Sequence, residues 1–263
     1  MRRILLWLII QGACILTGCS VKESRTLCPC LVCVDMSRFG ELHECDDVLF
    51  SMVGNSRIEQ MKVLMEEYGH KPFEIEVRGR YATTFCAAAG YSDMICRGDT
   101  LIARNNSEYP PLWTASDTER CDDDEAEVEL VPRKDYALLL FSVKGLGASD
   151  DVQYELAIKA GSNGITLSNH SPVKGPYKAI AHKSQVGETF ELRVPRQDDY
   201  ELILEIVSGS SSDVLELGQL MEDYGYDWHK DDLDDIMVSV DFSKPELELK
   251  ISKWVNYSID ENI

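Results

Sequence analysis

Short segments in which apolar and polar residues alternate recur along this chain, and they constrain its fold more than any other feature. Phe73 to Val77 and Tyr154 to Ile158 are two of them. A period of two is typical of a strand with one buried face. Turn-forming residues separate these segments, and strands and helices do not alternate regularly. The sequence therefore predicts an all-β protein of β-sandwich architecture.

The same criteria place strands along most of the chain. In chain order, the predicted strands are Leu31–Met36, Asp47–Val53, Phe73–Val77, Ala82–Ala89, Glu127–Val131, Tyr136–Lys144, Tyr154–Ile158, Thr189–Val194, Tyr200–Val207, Ile236–Phe242 and Leu247–Val255. Ile58–Tyr68 fits both helical spacing and strand alternation, so its structure stays open. Leu215–Tyr226 is predicted to be a short helix or an irregular excursion, and Tyr91–Asp124 an irregular loop.

Two glycine-containing segments are interpreted as hairpin turns. Gly79 to Tyr81 would join Phe73–Val77 to Ala82–Ala89 as an antiparallel pair. Asn163 and Gly164 form a dipeptide that favours a tight hairpin turn, because both residues adopt positive φ at little cost. This second turn would follow the strand Tyr154–Ile158.

The N-terminus has the layout of a secretory signal peptide. Arg2 and Arg3 precede a short apolar run, and Leu16, Thr17, Gly18 and Cys19 follow it as a bacterial lipobox. The run is too short to span a ~30 Å hydrocarbon core permanently. We expect cleavage before Cys19 and acylation of its thiol and amine, since several acyl chains anchor a protein firmly. An uncleaved anchor or an ordinary secretory signal is the alternative.

The chain is predicted to consist of four segments. The predicted segments are a lipoprotein signal peptide (1–18), a lipidated tether (19–27), an N-terminal β-sandwich domain (28–133) and a C-terminal β-sandwich domain (134–263). The formal charge is −20, and loss of the signal's two arginines makes it −22. Such acidity opposes binding of nucleic acid, or of an anionic membrane surface by the protein body, because both are polyanions.

Seven cysteines remain after Cys14 and Cys19 are set aside: Cys28, Cys30, Cys33, Cys45, Cys86, Cys96 and Cys121. The number is odd, so at least one stays unpaired. The close spacing of the first three invites a zinc or thiol-redox interpretation, but there is no second close pair and no histidine pair. We expect small buried or disulfide-linked residues, without a pairing scheme, and no metal site.

Motifs of catalysis are absent from the sequence. It contains no Gly-x-Ser-x-Gly elbow, no His-Glu-x-x-His helix and no phosphate-binding glycine loop. Asp231–Asp235 is interpreted as a solvated acidic turn, with a calcium site as the alternative. His229 beside Trp228 is interpreted as a packing residue. We therefore expect a protein that is not an enzyme and has no catalytic residues, cofactor or small-molecule substrate.

Three regions together resemble one family. Val21 to Pro29 places a charged tether and a Cys-Pro pair before the first strand, and Gly79 to Gly90 resembles a Gly-x-Tyr strand that ends in a small-residue turn. At the C-terminus, an order of helix, acidic turn, paired strands and closing tryptophan is carried by Leu217–Leu220, Tyr224–Trp228, Leu233–Asp235 and Leu247–Trp254. On these residues the chain resembles the anchor branch (FimB/Mfa type) of the Bacteroidetes fimbrillin superfamily. Cys30 and Cys33 depart from that family's pattern.

The resemblance implies two tandem transthyretin-like β-sandwich domains after the signal peptide. It also implies a lipid anchor in the cell outer membrane, a surface-exposed position at the base of a fimbria, and fimbrial subunits as protein partners. Subunits of this superfamily polymerise when one supplies a β-strand to a groove in its neighbour. A subunit whose N-terminus is bonded to lipid cannot easily release its first strand, so it is expected to end or regulate the polymer.

The last strand is the predicted interface. Leu247, Leu249 and Ile251 alternate with charged residues, and Trp254 closes the segment. This strand is expected at the C-terminal edge, where it either engages the next subunit or only completes the core. A surface glycan-binding lipoprotein is the competing function, and it would present exposed aromatic side chains, for which Trp113, Trp228 and Trp254 are the candidates.

Overall fold

The computed structural model describes residues 29–43, 45–78, 81–144, 154–183, 189–208, 211–241 and 248–255. Strands dominate these residues, and the helices are short. The predicted all-β sandwich is confirmed, and each predicted strand overlaps an observed one. Leu16, Thr17, Gly18, Cys19 and Leu247 lie outside the described residues. No helix within the described ranges is both long and apolar enough to cross a bilayer.

The described residues of the first half form ten strands and two helical turns. They are β1 (Pro29–Asp35), α1 (Ser37–Gly40), β2 (Asp47–Gly54), β3 (Arg57–Leu64), α2 (Met65–Tyr68), β4 (Phe73–Arg78), β5 (Ala82–Ala89), β6 (Ile95–Arg97), β7 (Thr100–Ile102), β8 (Trp113–Arg120), β9 (Glu125–Glu129) and β10 (Arg133–Lys134). The ambiguous segment Ile58–Tyr68 is thus strand followed by one helical turn.

Two sheets from this half form the first sandwich. A three-stranded sheet has the order β4-β1-β9, and a five-stranded sheet has the order β10-β8-β5-β2-β3. Their facing side chains form one core, in which Val32 and Val34 of β1 meet Phe50 of β2 and Phe85 of β5. Alternation along each strand accounts for this, because every second residue faces the opposite sheet.

In the second half, the part of the chain that the structure describes forms nine strands and one helix. They are β11 (Tyr136–Lys144), β12 (Tyr154–Thr166), β13 (Ser171–Ile180), β14 (His182–Lys183), β15 (Thr189–Pro195), β16 (Ile203–Ser208), β17 (Ser211–Leu215), α3 (Leu217–Asp223), β18 (Asp235–Asp241) and β19 (Glu248–Val255). The helix lies inside the segment Leu215–Tyr226, for which a short helix was one of two predicted outcomes.

The second sandwich contains a sheet of order β14-β15-β11-β18-β19 and a sheet of order β17-β16-β12-β7-β6, with β13 also paired to β12. Leu139 and Phe141 of β11 pack into the same core as Leu156 and Ile158 of β12. Residues of the first half enter this core as well, including Leu101 and Tyr109. The prediction of an irregular loop over Tyr91–Asp124 is therefore wrong, since β6, β7 and β8 lie within it.

Backbone pairing crosses the boundary predicted between residues 133 and 134. On the N-terminal side, β7 pairs with β12, with Leu101 opposite Ile165. On the C-terminal side, Lys134 pairs with Trp113 of β8. Two sandwiches are present, but each contains strands from the other side of the predicted boundary.

The hairpin predicted between Phe73–Val77 and Ala82–Ala89 is wrong. β4 pairs with β1, whereas β5 pairs with β2 and β8, so the chain passes from one sheet to the facing sheet between Arg78 and Tyr81. Val77 and Phe85 therefore enter the first core from opposite sides. A glycine-aromatic segment permits such a crossing as readily as a hairpin.

The predicted hairpin turn at Asn163 and Gly164 is also wrong. β12 continues through both residues to Thr166, with register shifts against β13 on either side of Ser162. The turn lies further along, at residues 167–170, where His170 has φ of 54°. A Cβ on Gly164 would lie 2.1 Å from the Leu101 carbonyl oxygen, so this glycine permits β7 to approach β12.

Candidate functional site

The first strand is the central strand of its sheet. β1 pairs antiparallel with β4 from Pro29 to Val34, and parallel with β9 from Leu31 to Asp35. Val32 and Val34 are fully buried against the facing sheet. Loss of β1 would leave a groove between β4 and β9 and expose the core, so this strand is integral to the first sandwich.

The last strand lies at an edge. β19 pairs antiparallel with β18, which places Leu249 opposite Val240, Ile251 opposite Val238 and Trp254 opposite Ile236. Among the described residues, no strand pairs with the other side of β19. Such an edge presents backbone donors and acceptors that can receive a further strand. The predicted edge position of this segment is confirmed, whereas its role as a subunit interface stays a prediction.

An ionic clamp joins the two sandwiches. We define it as Lys134, Asp135, Arg196 and Asp235, all of which are buried. Lys134 donates from Nζ to Asp235, and Arg196 donates from Nε to Asp135 over 2.8 Å. Burial raises the pKa of Asp235, and the Lys134 ammonium offsets part of that effect. Each buried charge therefore has a partner of opposite sign, as burial of an ion requires.

Neutral groups form further hydrogen bonds with the charged side chains of the clamp. The guanidinium of Arg196 also donates over 2.6 Å to the carbonyl oxygens of Trp228 and Lys230, and Thr114 of β8 donates to Asp135. The sequence analysis missed this network. The sequence did contain a signal for it: charged residues stand at the start of the apolar strands β11 and β18, where the fold excludes solvent and a charge needs a partner.

A histidine adds a second link between the sandwiches. Both ring nitrogens of His170, in the turn after β12, contact hydroxyl groups of β8: Nδ1 lies 3.0 Å from Thr114 and Nε2 lies 2.7 Å from Ser116. Further along, Arg193 donates to Glu108 over 2.9 Å. Side chains of the second half thus hold the segment around β8 in place at two points.

The acidic segment Asp231–Asp235 bonds to residues in the clamp and next to it. Asp231 accepts from Arg133, Asp232 accepts from the Lys134 amide, and Asp234 accepts from Lys230. The prediction of a solvated turn is wrong for Asp235, which is 1% exposed because it pairs with Lys134. Within the described ranges, no group of three or more His, Cys, Asp or Glu side chains could hold a metal ion.

Two of the three aromatic residues proposed for glycan binding, Trp113 and Trp228, do not form an exposed face, and the side chain of Trp254 lies outside the described part of the structure. Trp228 is 2% exposed and packs against Tyr226, with ring centroids 4.7 Å apart. Trp113 is half-buried and packs edge-to-face against Tyr136. The interpretation of Trp228 as a glycan contact is therefore wrong, because its indole completes the second core.

A groove opens at one end of the first sandwich instead. It has a volume of about 590 Å³, and its lining includes Met52, Arg57, Glu76, Tyr81 and Thr83. Tyr81 is 46% exposed, so an aromatic face and several polar groups share one concave surface. Sites that bind small ligands combine these features, with apolar surface for contact and polar groups for orientation.

Of the closely spaced cysteines, the two that the structure describes do not form a redox motif. Cys30 and Cys33 both lie in the extended strand β1, where an odd separation places them on opposite faces. Cys30 faces the core, while Cys33 is half-buried on the outer face. A thiol-redox motif requires both cysteines at a helix start, so the strand geometry excludes that interpretation for this pair.

No protein-family model matches the chain, and no curated protein matches its sequence. Its fold does match solved structures. A candidate polysaccharide-binding protein from Bacteroides thetaiotaomicron superposes with a TM-score of 0.60 at 13% identity, covering 90% of this chain and 100% of that one. The fimbrial anchor protein Mfa2 from Porphyromonas gingivalis gives 0.59 at 12% identity, with coverage of 86% and 96%.

A candidate adhesin from Bacteroides thetaiotaomicron is similar to the same extent, with a TM-score of 0.58 at 12% identity and coverage of 86% and 96%. In each case the alignment spans both sandwiches and nearly the whole of the other protein. The chain therefore has the fold of the fimbrial anchor Mfa2 and of Bacteroides candidate adhesins, which confirms at the level of the fold the resemblance predicted from its sequence.

Proposed function

We propose that this protein is a non-catalytic outer-membrane lipoprotein that anchors fimbriae to the cell surface and ends or regulates their assembly by β-strand complementation. The observation that carries the proposal is the position of β1. The first strand is the buried centre of its sheet, and it begins ten residues after Cys19. A chain acylated at Cys19 would therefore be tethered through a strand that cannot leave without opening the core.

The tether also limits where the body can lie. Residues 19 to 29, fully extended, span at most about 35 Å. The first sandwich would stay close to the outer surface of the membrane, and the second sandwich, with its edge strand β19, would be the part available to a fibre. The likeness in fold to Mfa2, which is described as a fimbrial anchor protein, supports this arrangement.

Assembly would then use the free edge of β19. A strand from a neighbouring subunit, added to this edge, forms backbone hydrogen bonds and places every second side chain on the core face. Because β1 stays in place, the protein offers the fibre a partner at one end only. Such a subunit ends the polymer and fixes it to the membrane.

The experiment compares fimbria retention on cells that carry three variants. Truncation after Pro245 removes β19, truncation after Val255 leaves it intact, and Cys19→Ala removes the acylation site. We expect fibres to be shed into the medium by the first and third variants and retained by the second. Circular dichroism of each purified variant shows whether its sandwiches are folded. Normally anchored fibres on cells carrying a folded protein truncated after Pro245 would refute the interface.

The groove at Tyr81 favours a second candidate, a surface glycan-binding lipoprotein. An exposed tyrosine beside Arg57 and Glu76 suits a sugar, whose ring stacks on an aromatic face and whose hydroxyls bond to charged groups. The soluble body from Ser20 separates the two functions. Binding on a glycan array that is lost in Tyr81→Ala supports this candidate, whereas co-purification with a major fimbrial subunit supports anchoring.

A further inference from the structure

Two buried cysteines meet at the start of the first strand. Cys30 is the second residue of β1 and is 1% exposed. Cys121 follows β8 directly, in the turn that leads to β9, and is fully buried. Both belong to the core of the first sandwich. Because β8 and β9 lie in different sheets, this turn is where the chain crosses from one sheet to the other.

Backbone pairing holds the two segments together. The Leu31 amide donates to the Asp124 carbonyl oxygen over 2.9 Å, and Leu31 then opens the parallel register with β9 at Glu125. The residue before Leu31 and the residues before Asp124 are therefore neighbours. Both cysteines are free thiols in the structure, and both side chains are buried in the same core beside this backbone pairing.

The environment of this pair suits a structural role and opposes a reactive one. Burial, reinforced by the adjacent Cys30, raises the pKa of Cys121 to about 12. A thiol that stays protonated at neutral pH is a poor nucleophile and a poor metal ligand. Cys33, by contrast, lies on the outer face of β1, and Cys86 lies in the core of the second sandwich.

We propose that Cys30 and Cys121 form a disulfide bond in the exported protein, and that this bond holds the first strand in the sandwich. Formation is a thiol–disulfide exchange with a disulfide-bearing oxidoreductase or with oxidised glutathione. The exchange takes place while the chain is folding, before the two side chains are buried: one cysteine thiolate attacks the oxidant's disulfide and forms a mixed disulfide, and the thiolate of the second cysteine then attacks that mixed disulfide and displaces the oxidant. The oxidant leaves as a dithiol, or as two thiols, carrying the two electrons, with its protons supplied by those the cysteines released.

The bond would matter most for a tethered chain, and in this respect the inference rests on the proposed function. A pull on the fibre reaches the lipid through β1, and it enters at Pro29, the first residue of that strand. Backbone hydrogen bonds at a strand end open one after another under such a pull. A disulfide at Cys30 passes the force to Cys121, and so to both sheets, before β1 can peel away.

The disulfide bond itself is tested in vitro on the purified chain, so the test does not depend on export. The full chain is refolded in a glutathione redox buffer, denatured, alkylated without reductant and digested. We expect a peptide pair that links Cys30 to Cys121 and separates on reduction. Recovery of both cysteines as alkylated thiols, or bonded to other partners, would overturn the inference, and it would leave the fibre-retention assay to decide the anchoring function.

Thermal melting provides the second measurement. The disulfide closes a loop from residue 30 to residue 121, so oxidised wild type is expected to melt about 10 °C above Cys121→Ala. In reductant the difference should shrink to that of a small core truncation. Cys33→Ala, on the opposite face of the same strand, is the matched control and should melt like wild type in both buffers. Equal melting of Cys121→Ala and wild type under oxidising conditions contradicts the proposal.

Discussion

The ionic clamp shows how single side chains decide the relation between the two sandwiches. Lys134 ends β10, the last strand of the first half, and Asp135 follows it, while Arg196 and Asp235 belong to the second half. Withdrawal of a charge from water costs several kcal/mol, which an ion of opposite sign and full hydrogen bonding must offset. The clamp meets both conditions, so its energetic effect appears mainly when one partner is removed.

Removal of one charged partner is therefore expected to lower the stability of the fold strongly. Asp235→Ala leaves the Lys134 ammonium buried without its carboxylate, and we expect a loss of about 3–5 kcal/mol in the free energy of unfolding. The double variant Lys134→Met/Asp235→Asn removes the stranded charge and keeps an acceptor for the Leu138 amide, which now bonds to Asp235 over 2.8 Å. It should lose less than the single variant. Urea denaturation measures all three proteins.

Lys230→Ala is the matched control for the clamp. Lys230 pairs with Asp234 in the same turn, but its side chain is 45% exposed. Exposed ion pairs contribute about 0–1 kcal/mol, so this variant should unfold close to wild type. If Asp235→Ala were no more destabilising than Lys230→Ala, the buried pair would not hold the sandwiches together as argued.

Among the structural elements, β12 shows a clear difference between local sequence and structure, because it continues through a dipeptide that predicts a turn. Its thirteen residues pair with β16 and then β7 along one edge, and with β13 along the other. The Asn163-Gly164 dipeptide, a turn signal in isolation, lies within the strand and beside the backbone of β7. The absence of a side chain at Gly164 is what allows a hairpin from the first half to extend a sheet of the second.

Substitution at two glycines of β12 tests this close approach. A Cβ on Gly164 would meet the Leu101 carbonyl oxygen at 2.1 Å, whereas on Gly161 its nearest neighbour is the Glu201 carboxylate at 3.6 Å. We expect Gly164→Ala to lose about 1–3 kcal/mol, as overpacked sites do, and to lose hydrogen-exchange protection at β7. Gly161→Ala should stay within about 0.5 kcal/mol of wild type. Equal stability of the two variants would show that β7 does not depend on Gly164.

On the scale of the whole molecule, the two sandwiches share apolar surface. One face of the five-stranded sheet of the first half lines the first core, while Leu49, Cys86 and Ala88 on its other face enter the second. Leu101 and Tyr109 extend this contact, and the ionic clamp lies alongside it. The molecule is therefore expected to unfold as one unit, since neither sandwich keeps a complete core without the other.

A fragment experiment checks this cooperativity. Residues 134–263 alone lack β6, β7 and the core side chains Leu101, Tyr109 and Leu112, so we expect the fragment to stay unfolded or to aggregate. The body from residue 20 to 263 should give a single calorimetric transition whose van't Hoff and calorimetric enthalpies agree. Two resolved transitions, or a fragment with a dispersed NMR spectrum, would establish independent domains.

The positions of the strands with clear alternation followed from the sequence alone, because alternation reports locally which residues one face of a sheet will bury. Short strands such as β6 and β7 were not predicted. By contrast, β1, β5, β11 and β19 are each found close to where the alternation predicts, and the all-β class follows from their number. The acidic composition is likewise a local property that needs no fold to be recognised, and the lipobox ending at Cys19 stays a prediction from local sequence, since Cys19 lies outside the described residues.

Which strands pair with each other, and which charged side chains pair, was decided only by the tertiary structure. β4 and β5 are joined by a segment that suits a hairpin, yet they lie in opposite sheets, since β4 pairs with β1 whereas β5 pairs with β2 and β8. Asp235 belongs to an acidic run that would be solvated in isolation, yet it is buried because Lys134, a hundred residues earlier, is brought beside it. Pairing of strands and of charges depends on which faces can be buried together, and that is a property of distant segments that no local pattern contains.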